Sequence, residues 1–160
     1  MRISFDLDDV LFVNPAKFET EPPPHAPFDR IFKERLRKGT VDLIHTLQNE
    51  GFEVWVYTSS FRSERYLRAL FSRYRIHFDD IVNAQRHLRE VQRDRPQILP
   101  QKMPGYYRIS LHVDDEEAIH ANARRYGFRT ICVREPDDHW AEKVLNEALR
   151  IRNLEEKTQS

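Results

Sequence analysis

The sequence predicts an α/β fold, with helices on both faces of a mostly parallel five-stranded sheet. Three observations predict it. Short apolar strand patterns alternate with helical patterns along the whole chain. Three of the strands end in polar residues rather than in hairpin turns. No internal repeat, low-complexity tract or interdomain linker interrupts the alternation.

The elements follow in order. Ile3 to Phe5 is an apolar run that ends in Asp6-Leu7-Asp8-Asp9. Val10 to Val13 is apolar again. Residues 14–28 include Pro22-Pro23-Pro24 and cannot form regular structure. Gly39-Thr40 opens a helix with Thr40 as its expected N-cap, and Val41, Ile44 and Leu47 give its apolar stripe. Gly51 stops that helix. Phe52 to Tyr57, aromatic and β-branched, reads as a strand ending in Thr58-Ser59-Ser60. A helix over about 63–73 carries Tyr66, Leu67, Leu70 and Phe71. Ile81-Val82 reads as a short strand, and residues 85–108 as a short helix followed by Pro96, Pro100 and Pro104. Ile109 to Val113 is a strand ending in Asp114-Asp115. A helix over about 116–126 stops at Gly127, Arg129 to Val133 is a strand, and a last helix runs from Trp140 to about Arg152 before a frayed tail.

Bulk properties narrow the function. Lysines and arginines number 26, as do aspartates and glutamates, so the formal net charge is zero. That argues against a general nucleic-acid or membrane-surface binder. Cys132 is the only cysteine, so no intrachain disulfide or cysteine-built zinc cluster forms. No apolar run approaches a membrane span, and Met1-Arg2-Ile3-Ser4-Phe5-Asp6 has no signal-peptide pattern. A cytoplasmic protein is the expectation. Gly-x-Gly-x-x-Gly and P-loop motifs are absent, which argues against a nucleotide-cofactor oxidoreductase.

The chemistry lies at the strand ends. Ligands of doubly wound sheets bind outside the carboxyl edge. Asp6 and Asp8, Thr58 and Ser59, and Asp114 and Asp115 all fall there, with Lys102 just before the strand that ends in Asp114. Clustered aspartates repel unless a cation sits between them, and carboxylate oxygens suit Mg²⁺. A phosphate then needs donors and positive charge, which Thr58, the amides after it and Lys102 supply. The set therefore reads as a magnesium-dependent phosphoryl-transfer site.

At these residues the sequence resembles the haloacid dehalogenase (HAD) superfamily. Phe5-Asp6-Leu7-Asp8-Asp9-Val10-Leu11 looks like its first motif, Val56-Tyr57-Thr58-Ser59 like its second, Lys102 like its third, and Leu111-His112-Val113-Asp114-Asp115 like its fourth. The resemblance implies a Rossmann-like three-layer sandwich. It implies Asp6 as nucleophile and metal ligand, and Asp8 as general acid/base with its backbone carbonyl on the metal. It implies Thr58 and Ser59 as phosphoryl binders, Lys102 as charge neutraliser, and Asp114 and Asp115 as metal ligands or supports. Retention of Asp8 favours phosphate over halide chemistry. Asp9-Val10 departs from the Gly-Thr of many members.

The implied activity is hydrolysis of a phosphate monoester through an aspartyl-phosphate. The alternative is a non-catalytic phospho-ligand-binding or phospho-acceptor domain, such as a signalling receiver. Receivers, however, carry the acceptor aspartate on the third strand, not the first. The insert at about 13–38 is too short for a helical cap, and residues 84–101 hold at most one short helix. Residues 1–160 thus read as one capless or minimal-cap core. Its expected partner is a phosphorylated small molecule or macromolecule at an open site, which leaves room for a homo-oligomer. His112 is expected as a packed core residue facing the same side as Asp114, and Cys132 as a buried small hydrophobe.

Overall fold

A computed structural model of the protein describes residues 1–159, Gln159 by its backbone only. Five strands form one sheet: β1 (Arg2–Phe5), β2 (Glu53–Tyr57), β3 (Asp80–Val82), β4 (Leu111–Asp114) and β5 (Thr130–Cys132). Their order is β3-β2-β1-β4-β5, and every pairing is parallel. The order reverses beside β1, so the β1/β4 junction is the switch point where such sheets open a crevice. Backbone bonds carry the pairing past the strand ends, from Asp6 N to the Val113 carbonyl and from Thr58 N to the Val82 carbonyl.

The helices are α1 (Phe28–Ile31), α2 (Thr40–Asn49), α3 (Glu64–Ser72), α4 (Ala84–His87), α5 (Glu117–Tyr126) and α6 (Trp140–Gln159). A π turn (Leu88–Gln92) continues α4, and a 3₁₀ turn (Pro104–Tyr107) precedes β4. Strand alternation sorts the core. Ile3, Phe5, Val54, Val56, Leu111 and Val113 pack with apolar residues of α2, α3 and α6. Trp55, Tyr57 and Val82 pack with Val91, Tyr107 and Ile109 in a second cluster. Ser4 and His112 are buried polar neighbours on the Trp55 face, in register across β1 and β4.

Several expectations are corrected. Thr40 is not the N-cap of α2. Gly39, in the left-handed region at φ 88°, holds that position, and Glu21 Oε1 accepts from the Gly39 and Val41 amides in its place. The strand expected from Ile109 begins at Leu111, because Arg108 turns the chain at φ 53° and the Ile109 amide donates to the Pro104 carbonyl. The last helix does not fray at Arg152 but continues to Gln159, with Glu155 paired to Arg129. Cys132 is exposed, because β5 is the edge strand of the sheet.

The insert at 13–38 is pinned to the core. Bridges pair Phe12 with Leu36 and Thr20 with Arg37. Arg37 is the rivet. Its guanidinium donates to the Val133 carbonyl (2.7 Å) and the Glu135 carbonyl (2.8 Å), and lies between the rings of Phe18 and Trp140. Trp140 Nε1 closes the set on the Lys38 carbonyl. Replacing Arg37 with alanine strands these carbonyls and removes both ring contacts. We expect a loss of about 2–4 kcal/mol in urea unfolding, with partial recovery in Arg37→Lys.

Candidate functional site

The site begins with the turn that follows β1. The Leu7 carbonyl accepts from the amides of Val10, Leu11 and Phe12, which curls the chain back sharply. Asp9 takes φ 59° to allow this. Aspartate is among the few non-glycine residues that tolerate that region, which explains why the turn forms without the glycine common in the family resembled. The curl leaves Asp6 buried under the sheet edge and Asp8 exposed above it.

Lys102 reaches into this edge and is 1 % exposed. Its Nζ lies 2.8 Å from Asp6 Oδ2 and 2.6 Å from Asp114 Oδ2. Arg108, the other basic residue near that strand, has an exposed side chain. The Lys102 backbone is set by its neighbour, since the Met103 amide donates to Tyr57 Oη (2.9 Å). Burial pulls the Lys102 ammonium down. The charges of Asp6 and Asp114, and the hydrogen bonds to them, outweigh it and lift the group above the ordinary lysine value.

Asp114 is fully buried and held on both oxygens. Oδ1 accepts from the Glu116 amide, and Oδ2 accepts from Lys102 and from His112 Nε2 (2.8 Å). A carboxylate only accepts, so His112 carries its proton on Nε2. Nδ1 lies 2.8 Å from Ser4 Oγ, which fixes the other side of the ring. Burial pushes Asp114 up, but His112 and Lys102 hold it well below the usual carboxylate range. The expected core role of His112 therefore has a specific content: it orients Asp114.

One oxygen each of Asp6, Asp114 and Asp115 lies within 4.8 Å of the others. Asp6 Oδ1 is buried with no hydrogen-bond partner. A carboxylate oxygen left unpaired in a buried acidic cluster fits a hard cation. Asp115 is pushed up to about 6 by burial, then by the charges of Asp114 and Asp6. The folded chain thus holds the Asp115 proton more tightly than the unfolded chain. That proton favours folding below about pH 4, and the advantage is lost as pH rises through about 6. In chelator, Asp115→Asn is expected to be more stable than wild type at pH 7 by about 1 kcal/mol, allowing for the partial exposure of the residue. The gap should close toward pH 4.5, and Mg²⁺ should raise the Tm of wild type more than that of the variant. Thermal melts across this range check both.

Thr58 is buried at the end of β2. Its Oγ1 accepts from the Ser60 amide at 3.1 Å, so its own proton is left to donate toward the edge. Ser59 is half-buried beside it.

Asp8, expected at a metal through its backbone carbonyl, directs its side chain elsewhere. Its carboxylate is outside the acidic cluster and pairs with Arg62 Nη1 at 2.9 Å. Arg62 is in turn held by Glu34 Oε1 (3.1 Å) and Ser60 Oγ, and Tyr66 Oη donates to Glu34 Oε2 (2.7 Å). Sequence reasoning missed Arg62 and Glu34. Apart from Ser60, their side-chain partners lie tens of residues away, and neither sits in a motif or an apolar stripe. Residues 85–108 carry six basic side chains against two acidic ones, but part of that charge is spent inside the protein. Arg86 pairs with Asp80 and Glu90, and Lys102 is internal to the site.

No family model matches the chain, and no curated protein matches it. Solved structures do. One is a HAD-superfamily hydrolase, subfamily IA, variant 1, from Geobacter sulfurreducens PCA, with TM-score 0.53 and 16% identity, over 85% of this chain and 90% of that one. Another is an uncharacterized protein from Listeria monocytogenes serotype 4b, with TM-score 0.53 and 15% identity, over 91% and 97%. A third is a chain of a Pnkp1/Rnl/Hen1 complex, with TM-score 0.55 and 15% identity, over 85% of this chain but only 46% of that one. This chain thus spans under half the length of that neighbour. At these identities the likeness establishes a shared fold. No helix among the described residues is long and apolar enough to cross a membrane.

Proposed function

On a HAD-like α/β fold, we propose that this protein is a Mg²⁺-dependent phosphatase that hydrolyses a phosphate monoester through an aspartyl-phosphate on Asp6. The observation that carries the reading is Lys102, buried between Asp6 and Asp114 at the carboxyl edge of the sheet. A buried ammonium between two carboxylates is costly to build unless it serves the site.

The Asp6 carboxylate attacks phosphorus, an O–P bond forms, and the ester P–O bond breaks. Asp8 gives the leaving alcohol its proton and then takes one from the water that cleaves the acyl phosphate, which frees phosphate and restores Asp6. Thr58, Ser59 and Lys102 bind the phosphoryl oxygens. Asp6, Asp114, Asp115 and the Asp8 carbonyl would hold Mg²⁺, which supplies charge neutralisation at the phosphoryl group. With no full cap over 13–38 or 84–101, the edge would be open to a small or a large phosphorylated substrate. A cytoplasmic setting, and a homo-oligomer, are compatible with this reading.

One observation favours the alternative of a phospho-ligand-binding or phospho-acceptor domain without turnover: the Asp8 carboxylate is engaged by Arg62 rather than turned to the cluster. Turnover of an aryl phosphate with and without Mg²⁺ separates the two. Multiple turnovers that need Mg²⁺ support the phosphatase. Mg²⁺-dependent labelling by acetyl phosphate without turnover supports the acceptor.

A further inference from the structure

A groove of about 380 Å³ lies beside the site. Two chain segments join it to the proposed phosphoryl site. Ser59 lines it and follows Thr58, while Gln101 lines it and precedes Lys102. His87, also in its lining, contacts Tyr57 Oη through Nδ1 (2.5 Å), and the same Oη accepts the Met103 amide that sets Lys102. Groove and phosphoryl site therefore share a framework.

The lining has a particular chemistry. Phe61 is 71% exposed, Leu88 50% and Ile98 89%, and all three face this groove together with Leu99. They are half of the six large hydrophobic residues exposed among the described residues. Their grouping at one place is what a binding surface looks like, since scattered exposed apolar residues need no explanation. The lining holds no aspartate, glutamate, lysine or arginine. Its polar members are the Ser59 hydroxyl, the Gln92 and Gln101 amides, and His87. Burial pulls His87 below the ordinary histidine value, which disfavours its charged form. Gln92 is already spent on the Leu99 amide and the Arg95 and Gln97 carbonyls.

Resting on the phosphatase reading, we infer that this groove receives the alcohol part of the substrate, and that this part is uncharged, apolar and of bicyclic-aromatic size or larger. A pocket of this volume, apolar with a few neutral polar groups, suits a ligand of that kind. Polyols and nucleoside diphosphates would leave their hydroxyls or charges unpaired against Leu88 and Ile98. The neutral lining also separates the two ends of the substrate: the phosphate meets Lys102 and Thr58, and the body meets hydrocarbon.

The test compares kcat/KM, in Mg²⁺, for 2-naphthyl phosphate and phenyl phosphate, whose leaving groups have similar chemistry but different size. Wild type should prefer the naphthyl ester by about tenfold or more. Leu88→Asp and Ile98→Asp, both at exposed positions that tolerate charge, should each bring that ratio close to one. A ratio near one in wild type overturns the groove assignment and leaves the phosphatase reading standing. Absence of turnover on both esters sinks the phosphatase reading instead. Methyl NMR of Leu88, Ile98 and Leu99 with 2-naphthol, the neutral alcohol alone, then decides the groove without catalysis: shifts confined to these methyls support it, and their absence overturns it. Concentration-dependent dimerisation abolished by Leu88→Asp would also overturn it, because a second copy would then fill the groove.

Discussion

Asp6→Asn is expected to abolish turnover of any phosphate monoester, by about 10⁴-fold or more in kcat, while the protein stays folded. The amide is nearly isosteric with the carboxylate, so packing beneath the sheet edge is kept. Its oxygen still accepts from Lys102, which keeps Asp114 as its second partner. What is lost is the attacking oxyanion. Asp8→Asn should behave differently. Proton transfer contributes about 10²–10⁴-fold, so that variant should retain a trace of turnover, largest for esters of acidic alcohols that leave without a proton. The Asp8 carboxylate is half-exposed and outside the buried cluster, so this change should leave stability nearly untouched. Rapid-quench assays for bound phosphate separate the two variants. Asp6→Asn should show no acid-stable acyl phosphate, and Asp8→Asn should accumulate it with activated esters. Equal turnover in wild type and Asp6→Asn would remove Asp6 from the mechanism altogether.

How much of this site the chain announces depends on how local each part is. Asp6, Thr58 and Asp114 were legible because parallel strands put their carboxyl ends on one edge, and three apolar runs end in those residues. Lys102 was visible only through its motif. Its reach into the cluster depends on the π turn, the proline-rich loop and the Tyr57 hydroxyl, none of which has a sequence period. His112 could be placed on the Asp114 side by strand alternation. Its partner Ser4 could not, because that contact needs the β1–β4 register. The Arg62 bridge between Asp8 and Glu34 spans 54 residues to one partner and 28 to the other, with no pattern to connect them. Cys132 was misplaced because an apolar strand reads the same at the centre and the edge of a sheet. The capping of α2 by Glu21 is likewise tertiary, with Gly39 lying 18 positions after Glu21.

Lys102→Met tests the electrostatic design of the site by stability rather than by rate. The substitution keeps length and apolar bulk but removes the ammonium. Asp6 and Asp114 are then buried beside Asp115 with no cation among them. Breaking a buried pair by removing one partner costs about 3–5 kcal/mol at neutral pH, and here one lysine serves two carboxylates. The pH dependence carries the sign of the argument. In wild type Asp114 is held below the usual carboxylate range, so its contribution is full above about pH 4 and is lost only as pH falls through its lowered value. Without Lys102, the charges of Asp6 and Asp114 act on Asp115 with no ammonium among them, so Asp115, already raised by burial and by those charges, holds its proton more tightly in the folded state. The variant should therefore recover stability as pH falls, and its deficit should narrow between pH 7.5 and 5. Mg²⁺ should narrow it as well, since a cation at the three aspartates replaces part of the missing charge. In the double variant with Asp6→Asn, the loss should be smaller than the sum of the two single losses, because one of the stranded charges is gone. Urea unfolding of the four proteins at two pH values, with and without Mg²⁺, measures each of these. Additive losses with no pH dependence would mean that Lys102 is held in place by packing alone.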